Sequence, residues 1–469
     1  MTSLEIIFVI LLLLSSIPLF FIQRGFTKFN AAILLADYVF LLATVIAIGV
    51  NWRMIPAYIV ILLLTLQVLI KFGSTNVSKH WGAKLANGAG LVVAAVAMIA
   101  VPTLFPLFSF PKPTGEYAVG TQAFHLVDPT RIELVVPNSQ VHRELMVQVY
   151  YPAEKGTGSP APYHENIDAL TKQLSATQGF PYIATTHLEL IKTHSYTNAV
   201  PLQTPEKFPL LLFAHGMSLY SQQNTFQLEE LASHGYVIVA INFTGDATTT
   251  VFPDGDQVDF TPIESTITFL NNRILLWEQD ASFVLDEVIR ADFDDKFKPI
   301  AKLIDYDHIG MLGHSFGGAT SAQMLVKDDR IKAAIDMDGG LYGAPMPKDG
   351  PGKPFMLMNA EASIRFMKEA YGQEPGNRDE LFVESYLRNK TIEKTGVYTA
   401  VIPKTNHGSF TDLAAVSPLI NEAGADVDAI YRLINDMALG FFDKNLKGIN
   451  MNKMDEIQKN NPEIHLTRF

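Results

Sequence analysis

A serine flanked by glycines offers the clearest chemistry in this sequence. The segment Gly313-His314-Ser315-Phe316-Gly317-Gly318 follows a short apolar run at 309–312 and precedes a helical pattern at 320–326. A serine raised on a sharp strand-to-helix turn needs glycine on both sides, because larger side chains would clash there. The N-terminus of the following helix then faces the reaction centre, where it favours negative charge. We therefore interpret Ser315 as a nucleophile for acyl transfer.

A histidine downstream of Ser315 can act as the general base. Where a serine on such a turn works with an acid and a histidine, the three follow along the chain in the order serine, acid, histidine. Two histidines, His407 and His465, follow Ser315. His465 lies in a polar tail with no preceding strand, whereas His407 lies in a loop directly after a predicted strand at 397–402. We therefore predict that His407 accepts the proton of Ser315.

Three acidic residues are candidates for the group that orients His407. Asp336 and Asp338 lie at the end of a predicted strand at 333–337, and Glu361 follows the next predicted strand, at 355–358. Side-chain alternation sends Asp336 and Asp338 to the same side, and Asp338 is nearer the carboxyl end, where sites form. Geometry from the sequence alone leaves all three open.

A second loop is placed to stabilise the oxyanion of the reaction. The predicted strand at 208–214 runs directly into His215-Gly216-Met217. In serine hydrolases with this type of turn, one oxyanion donor follows the nucleophile and another comes from such a loop. We expect the backbone N–H groups of Met217 and Phe316 to be these donors, and we interpret His215 as a structural imidazole that shapes the loop.

The elements that must position these residues are typical of an α/β protein. Nearly continuous apolar runs predict strands buried on both faces of a mostly parallel sheet, and helical patterns lie between them. The predicted strands are 145–151, 209–214, 236–242, 308–312, 333–337, 355–358 and 397–402, and the predicted helices are 226–233, 269–290, 320–326 and 427–445. This order predicts an α/β fold with helices on both sheet faces. Together with the serine turn it indicates an α/β-hydrolase domain over residues 112–469. Residues 160–200 are interpreted as an insertion, either a lid facing a membrane or an ordinary helical cap.

The N-terminal region has a different composition. Residues 1–111 contain two acids and six bases, and they include four apolar stretches at 4–22, 31–50, 54–70 and 86–108. Each stretch is close to the ~20 residues that a helix needs to cross a bilayer. They predict a membrane domain of four transmembrane helices over residues 1–111, with a cleaved signal peptide as the alternative for the first stretch.

The charges between these stretches predict an orientation. The first loop carries Arg24 and Lys28, the second carries Arg53, and the third carries Lys71, Lys79 and Lys84. Basic loops tend to stay in the cytoplasm, so we expect a multi-pass protein of the cell membrane with its catalytic domain on the extracytoplasmic side. Asp37, inside the second stretch, is interpreted either as a functional acid or as one paired with Ser, Thr or Tyr within the bundle.

The rest of the composition excludes several classes of function. Of the 36 Lys and Arg and the 48 Asp and Glu, 30 bases and 46 acids lie in residues 112–469. An acidic domain lacks the basic surface that nucleic acid requires, so we expect no nucleic-acid partner. The absence of cysteine excludes disulfides, thiolate metal sites and a cysteine nucleophile. Acyl transfer through a serine requires neither a metal nor an organic cofactor, and we expect none.

The motifs also resemble a known family. The segment from Gly313 to Thr320, then Asp338, then His407 with Phe410 and Asp412, is similar to the plasma-type platelet-activating-factor acetylhydrolases. The segments 213–217 and 231–235 resemble them too, and the similarity covers about residues 116–446. Dienelactone-hydrolase-like and polyester-cleaving esterases share much of this layout.

The resemblance implies a function and resolves the choice of acid. It implies Asp338 as the acid, Met217 and Phe316 as the oxyanion donors, and calcium-independent hydrolysis of short acyl esters, including those of phospholipids. The sequence departs from the family where a tryptophan follows the acid, because Gly339-Gly340-Leu341 stands there. We therefore expect a differently shaped acyl pocket. The alternatives are a serine peptidase or acyltransferase on the same fold, and a non-enzymatic membrane sensor with a hydrolase-like domain.

Overall fold

A computed structural model describes most of the chain, as two compact units. The described residues are 2–21, 28–73, 81–136, 139–392, 396–449 and 452–469, and within them the side chains of 18–21, 28–30, 70–73 and 81–87 are not described. The first unit comprises Met1–Phe108 with Ile183–Ile191 and Ala415–Leu419. The second comprises Ser109–Tyr182, Lys192–Ala414 and Ile420–Phe469. The first unit thus includes two short segments that the sequence analysis placed in the hydrolase domain.

The first unit is built from apolar helices. They are α1 (Ser3–Phe21), α2 (Lys28–Ile48), a 3-10 turn (Trp52–Met54), α3 (Ile55–Gly73) and α4 (Trp81–Leu104). Apolar side chains such as Phe8, Leu12 and Ile61 are buried between the helices, while others such as Leu42 and Ile46 are exposed on the outside. These helices are therefore apolar on both their inner and outer surfaces.

The expectation of four transmembrane helices is not supported, because by length and composition alone only two of the described helices are candidates. In the described residues, Ala31–Ile48 and Trp52–Leu69 are long and apolar enough to cross a membrane, with mean hydropathies of 2.4 and 1.8. The described apolar parts of the other two helices, Ser3–Ile17 and Gly88–Leu104, are shorter. A helix needs ~20 residues to span the hydrocarbon core, so length and composition do not support four spans.

The described part of the first unit contains buried charged residues. Glu5 and Arg53 form an ion pair of 3.2 Å with both side chains fully buried. Ser15 Oγ donates a hydrogen bond of 3.0 Å to Asp37 Oδ1, which agrees with the interpretation of Asp37 as an acid paired inside the bundle. Arg24 and Lys79, on which the predicted orientation partly depends, lie outside the described residues.

The second unit contains a large mixed sheet and the helices that pack on it. The strands are β1 (Ala118–Ile132), β2 (His142–Ala153), β3 (Ser159–Pro162), β4 (Lys192–Thr197), β5 (Phe208–Ala214), β6 (Val237–Asn242), β7 (Thr249–Val251), β8 (Gln257–Asp259), β9 (Ile304–His314), β10 (Ile331–Met337), β11 (Phe355–Ala360), β12 (Val397–Ile402) and β13 (His465–Arg468). The helices are α5 (Ile167–Gln178), α7 (Thr225–Ser233), α8 (Ile267–Arg290), α9 (Lys298–Ala301), α10 (Phe316–Lys327), α11 (Glu361–Tyr371), α12 (Glu380–Thr391), α13 (Val427–Phe442) and α14 (Lys453–Asn460). The short helix α6 (Tyr182–Thr185) begins at the last residue before the segment Ile183–Ile191, which belongs to the first unit.

The central strands of this sheet are parallel, and their carboxyl ends lie along the same edge. In the described residues the strand order is β13-β12-β11-β10-β9-β5-β6-β2-β1-β4-β3. The strands from β12 to β6 in that order run parallel to one another. Ala214 of β5 pairs with Gly313 of β9, and His314 pairs with Met337 of β10, so the loops after these three strands begin at the same edge.

The sequence patterns of the central strands explain their position. Every residue of β5, β6 and β11 is buried, as expected when both faces of a parallel sheet are covered. Each of the seven predicted strands is present. The mostly parallel sheet therefore agrees with the predicted fold class.

The predicted elements differ from the structure at several places. Strand β1 (Ala118–Ile132) was not predicted, and β9 begins at Ile304 rather than at residue 308. Helix α10 begins at Phe316, directly after the serine, whereas the sequence pattern indicated a start at residue 320. The range 160–200 is not a single insertion, because β3 and β4 belong to the large sheet and only the residues between them are helical. His465, expected in a tail, begins edge strand β13.

Candidate active site

Ser315 lies at the turn between β9 and α10. Its backbone has φ 55° and ψ −119°, a strained conformation that is typical of a nucleophile raised above a sheet edge. The turn is held by a hydrogen bond of 2.8 Å from Ser315 N–H to the carbonyl of Met337. A Cβ atom on Gly313 would overlap the backbone of Gly317, and one on Gly317 would overlap the carbonyl of Ala214. Close backbone packing therefore requires both glycines of the motif.

Asp338 directly follows β10 and faces His407. His407 Nδ1 lies 2.7 Å from Asp338 Oδ2, which also accepts a hydrogen bond of 2.6 Å from Ser363 Oγ. Asp338 Oδ1 accepts a hydrogen bond of 2.7 Å from the N–H of Ala360, at the start of α11. Burial alone would raise the pKa of Asp338, but the hydrogen bonds from His407, Ser363 and Ala360 outweigh burial and lower this pKa. The carboxylate is therefore held in its ionised form.

His407 begins a short 3-10 turn in the loop after β12. The backbone of this loop is fixed by a hydrogen bond of 3.0 Å from Asn406 N–H to Ser409 Oγ. The His407 side chain is half-exposed, and it lines the same cavity as Ser315. Among the described residues no hydrogen bond joins Ser315 to His407. Such contacts are often long until substrate is in place.

The other two candidate acids do not reach the histidine. Asp336 is fully buried behind the serine turn, where its Oδ1 accepts a hydrogen bond of 2.7 Å from Gly339 N–H. Glu361 Oε2 instead accepts a hydrogen bond of 2.8 Å from Lys404 N–H. Of the three acids left open by the strand pattern, the structure brings Asp338 alone to His407.

The loop after β5 presents the second expected oxyanion donor. Met217 and Phe316 both begin segments that follow neighbouring strand ends, and Met217 lines the cavity with Ser315. Outside the regular helices and strands of the described chain, no backbone hydrogen bond is donated by the Met217 N–H. Phe316 is the first residue of α10, where N–H groups have no partner within the helix. A Cβ atom on Gly216, the residue before Met217, would lie 3.4 Å from Ser315 Cβ, so this loop runs close to the serine, and the oxyanion role of the Met217 and Phe316 amides stays a prediction.

Two buried histidines support this region without titrating near neutral pH. His215 Nε2 accepts a hydrogen bond of 3.1 Å from Phe243 N–H, so its Nδ1 carries the proton and donates to the Gly216 carbonyl at 2.7 Å. Burial lowers the pKa of His215 to about 4. His314 Nε2 contacts the His407 carbonyl at 3.0 Å, and burial lowers its pKa to about 3. His215 thus has the structural role expected of it.

The cavity above Ser315 is large and mostly apolar. Its volume is about 690 Å³, and Tyr342, Phe366, Phe382 and Leu413 are among the residues that line it. Its described lining contains the carboxyl groups of Asp338 and Asp379 but neither lysine nor arginine. The cavity therefore suits an uncharged ester group.

Some functional positions were not predicted from the sequence. Ser363 and His314 hold the acid and the base, and Tyr342 lies against Gly340, where a Cβ atom would contact its ring. The position of His314 inside the glycine motif was a usable signal. No signal in the sequence indicated Ser363 or Tyr342, because the contacts of Ser363 depend on helix α11 and those of Tyr342 depend on the loop after β10.

A serine on a strand-to-helix turn, followed by an aspartate and a histidine on later strand ends, defines a serine hydrolase of the α/β-hydrolase fold. The chain spans 99% of a solved ferulic acid esterase from Streptomyces cinnamoneus, which covers 77% of this chain with a TM-score of 0.61 and 24% identity. At that identity the similarity establishes the fold alone.

The sequence comparison specifies the family. The family described as platelet-activating factor acetylhydrolase, isoform II, matches residues 103–272 and 275–463, and the chain belongs to this family. It is 25% identical to the platelet-activating factor acetylhydrolase of Canis lupus familiaris over 300 residues, 56% of this chain and 64% of the relative. It is 28% identical to a probable 1-alkyl-2-acetylglycerophosphocholine esterase of Arthroderma benhamiae over 275 residues, 54% of this chain and 65% of the relative. The chain thus spans slightly less than two thirds of each relative.

Proposed function

We propose that this protein is a serine carboxylic-ester hydrolase in which Ser315, His407 and Asp338 form the catalytic triad. The observation that carries the proposal is the 2.7 Å contact between His407 Nδ1 and Asp338 Oδ2 at the strand ends beside the Ser315 turn. Asp338 fixes the proton on Nδ1, which leaves Nε2 of His407 free to accept a proton.

The proposed reaction has two steps. Ser315 Oγ attacks the ester carbonyl carbon while His407 Nε2 takes the hydroxyl proton, and the N–H groups of Met217 and Phe316 donate to the oxyanion. His407 then gives its proton to the leaving alcohol as the acyl-enzyme forms. His407 then takes a proton from water, whose oxygen attacks the acyl-enzyme carbonyl carbon. As the bond from this carbon to Ser315 Oγ breaks, His407 returns the proton to Ser315 Oγ, which releases the acid and restores the free enzyme. No step requires a metal or an organic cofactor.

The proposed substrates are esters whose short acyl group is uncharged, including acetylated phospholipids of the kind named for the fungal relative. The apolar, acid-lined cavity supports an uncharged reacting ester. Tyr342 enters the cavity close to Gly340, in the segment where the family tryptophan is replaced. We expect this difference to change acyl-length preference relative to the family.

A substrate panel tests this proposal. The purified full-length protein should hydrolyse p-nitrophenyl acetate faster than p-nitrophenyl palmitate, and it should cleave peptide p-nitroanilides poorly. Ser315→Ala should lose about 10⁶-fold in turnover, since the triad acts as a unit. Preferential cleavage of the peptides would favour a peptidase, and strong acyl transfer to added alcohols would favour an acyltransferase.

We further propose that the N-terminal helices anchor the protein in a membrane, with the hydrolase domain on the extracytoplasmic side. The supporting observation is the exposed apolar surface of α2 and α3, where Ile46 of α2 is 77% exposed and Leu63 of α3 is 57% exposed. Soluble proteins seldom expose a continuous apolar surface of this kind. The excess of basic residues in the first and third loops supports the orientation.

Membrane extraction and protease shaving test the anchoring. The protein should remain in the membrane pellet after carbonate washing. A tag placed after Phe469 should be removed from intact cells by protease while a cytoplasmic control protein survives. Protection of the tag would place the hydrolase domain in the cytoplasm, and release by carbonate would exclude an integral anchor.

A further inference from the structure

A buried turn behind the active site holds the loop that carries Met217. The turn comprises residues 243–246 and is closed by a hydrogen bond of 3.0 Å from Asp246 N–H to the Phe243 carbonyl. Phe243 N–H donates to His215 Nε2 at 3.1 Å, and the Asp246 carbonyl accepts a hydrogen bond of 2.9 Å from Ser218 N–H. Met217 therefore lies between two residues that the turn anchors.

The residue after Met217 needs this support. Ser218 has a φ of 59°, in the left-handed region that non-glycine residues seldom occupy. A conformation of this kind persists where surrounding contacts determine it. The bond to the Asp246 carbonyl is such a contact, because it fixes the peptide that follows Met217.

Trp277 connects this turn to helix α8. The indole Nε1–H donates a hydrogen bond of 2.8 Å to Asp246 Oδ2, and its ring stacks on Phe243 with a centroid distance of 3.7 Å and an interplanar angle of 6°. Arg143 adds a second connection, since it donates to the Thr244 carbonyl at 2.8 Å and pairs with Asp280 of α8 at 2.6 Å. The turn is thus fixed to the helix through buried polar groups.

The same indole also contacts the nucleophile side of the site. The Trp277 ring meets Phe316 edge-on with a centroid distance of 4.9 Å, and it meets His215 at 5.1 Å. Phe316 carries one expected oxyanion donor, and His215 begins the loop that carries the other. A single fully buried side chain therefore contacts both parts of the oxyanion hole.

We propose that Trp277 and Asp246 are positioning residues that set the distance and direction between the Met217 and Phe316 amides. This inference rests on the proposed function. Neither side chain is among the residues that line the cavity, so they act through the turn and the loop. Oxyanion donors work only when they are aimed at the developing charge, and a misplacement of about 1 Å can cost about 10²-fold in rate.

Trp277→Phe tests the proposal with little loss of packing. The phenyl ring keeps most of the stacking surface but cannot donate to Asp246. The matched control is Tyr236→Phe, which removes another buried hydrogen bond of 2.8 Å to a carboxylate, that of Asp443, outside the oxyanion region. Asp246→Asn and Asp246→Ala form a second pair, because asparagine retains an oxygen acceptor for the indole.

The measurements are made per active site. A fluorophosphonate probe titrates reactive Ser315, and kcat and KM for p-nitrophenyl acetate are referred to that concentration. Trp277→Phe should lower kcat per site by about 10- to 100-fold with KM within about threefold, and a trifluoromethyl ketone inhibitor should bind more weakly by a similar factor. Asp246→Asn should retain at least about tenfold more kcat than Asp246→Ala, and Tyr236→Phe should lose thermal stability but not kcat.

The possible results separate this inference from the proposed function. A Trp277→Phe protein with a per-site kcat within twofold of the wild type would overturn the inference. If Trp277→Phe does not fold, equal per-site kcat in the two Asp246 variants would overturn it instead. A wild-type protein that neither reacts with the probe nor hydrolyses esters would contradict the proposed function itself.

Discussion

Replacing Asp338 with asparagine removes the charge that faces His407. The two groups are joined at 2.7 Å, and the acid is fully buried. A carboxylate and an imidazolium about 4 Å apart attract each other by about 4 kcal/mol at an effective dielectric constant of 20, which corresponds to a factor of about 10³ in rate. An asparagine amide also favours the wrong imidazole tautomer, and together these effects should lower kcat by about 10⁴-fold.

The assay compares Asp338→Asn with two matched amide substitutions. Asp336→Asn keeps the oxygen that accepts from Gly339, and Glu361→Gln keeps an oxygen for the Lys404 amide. Both variants should stay within about tenfold of the wild-type kcat for p-nitrophenyl acetate, because neither acid contacts His407. A loss of 10³-fold or more in Glu361→Gln, with Asp338→Asn nearly unaffected, would refute the assignment of the acid.

Three further predictions address the turn, the acid and the cavity. Gly317→Ala should abolish soluble, probe-reactive protein because its Cβ would overlap the Ala214 carbonyl, whereas Gly372→Ala, with no contact closer than 3.5 Å, should express and react normally. The fold lowers the pKa of Asp338, so the stability that this carboxylate adds is present at neutral pH and is lost as the pH falls below about 4. The difference in melting temperature between wild type and Asp338→Asn should therefore shrink between pH 5 and pH 3. A difference that stays constant over this range would contradict the lowered pKa of Asp338. Finally, a p-nitrophenyl ester with a free carboxylate on its acyl chain should have a kcat/KM at least about tenfold below that of its uncharged methyl ester. The physical reason is that the described lining of the cavity includes Asp338 and Asp379 but no lysine or arginine. Equal values would show that the substrate carboxylate is neutralised.

The sequence predicted the central sheet because fully buried parallel strands leave a strong pattern. Strand β5 is apolar along its whole length, and so it was recognised without reference to its neighbours. The outer strands β3, β4 and β13 were missed because their side chains are largely exposed and their polarity follows no simple rule. Strand β1 was missed as well, because its buried and exposed residues do not alternate regularly. The early start of α10 was missed because Gly317 and Gly318 are poor helix formers, although the tight turn requires them.

The sequence predicted those residues of the candidate site that are marked by a short motif or by their order along the chain. Ser315 and His407 follow from a motif and from their order along the chain. Side-chain alternation along the strand could not decide which of Asp336 and Asp338 is the triad acid, because it places both side chains on the same face of the sheet. The roles of Ser363 and Trp277 depend on contacts between elements distant in the chain, and no spacing in the sequence indicates such contacts.

The most direct test of the account is to find which residue reacts with a fluorophosphonate. The full-length protein is labelled at neutral pH, digested with protease and analysed by mass spectrometry. The account predicts one stoichiometric adduct on Ser315 that blocks ester hydrolysis in proportion to labelling and is absent in Ser315→Ala. Full esterase activity after complete labelling of Ser315, or an inactivating adduct on another residue, would contradict the central claim.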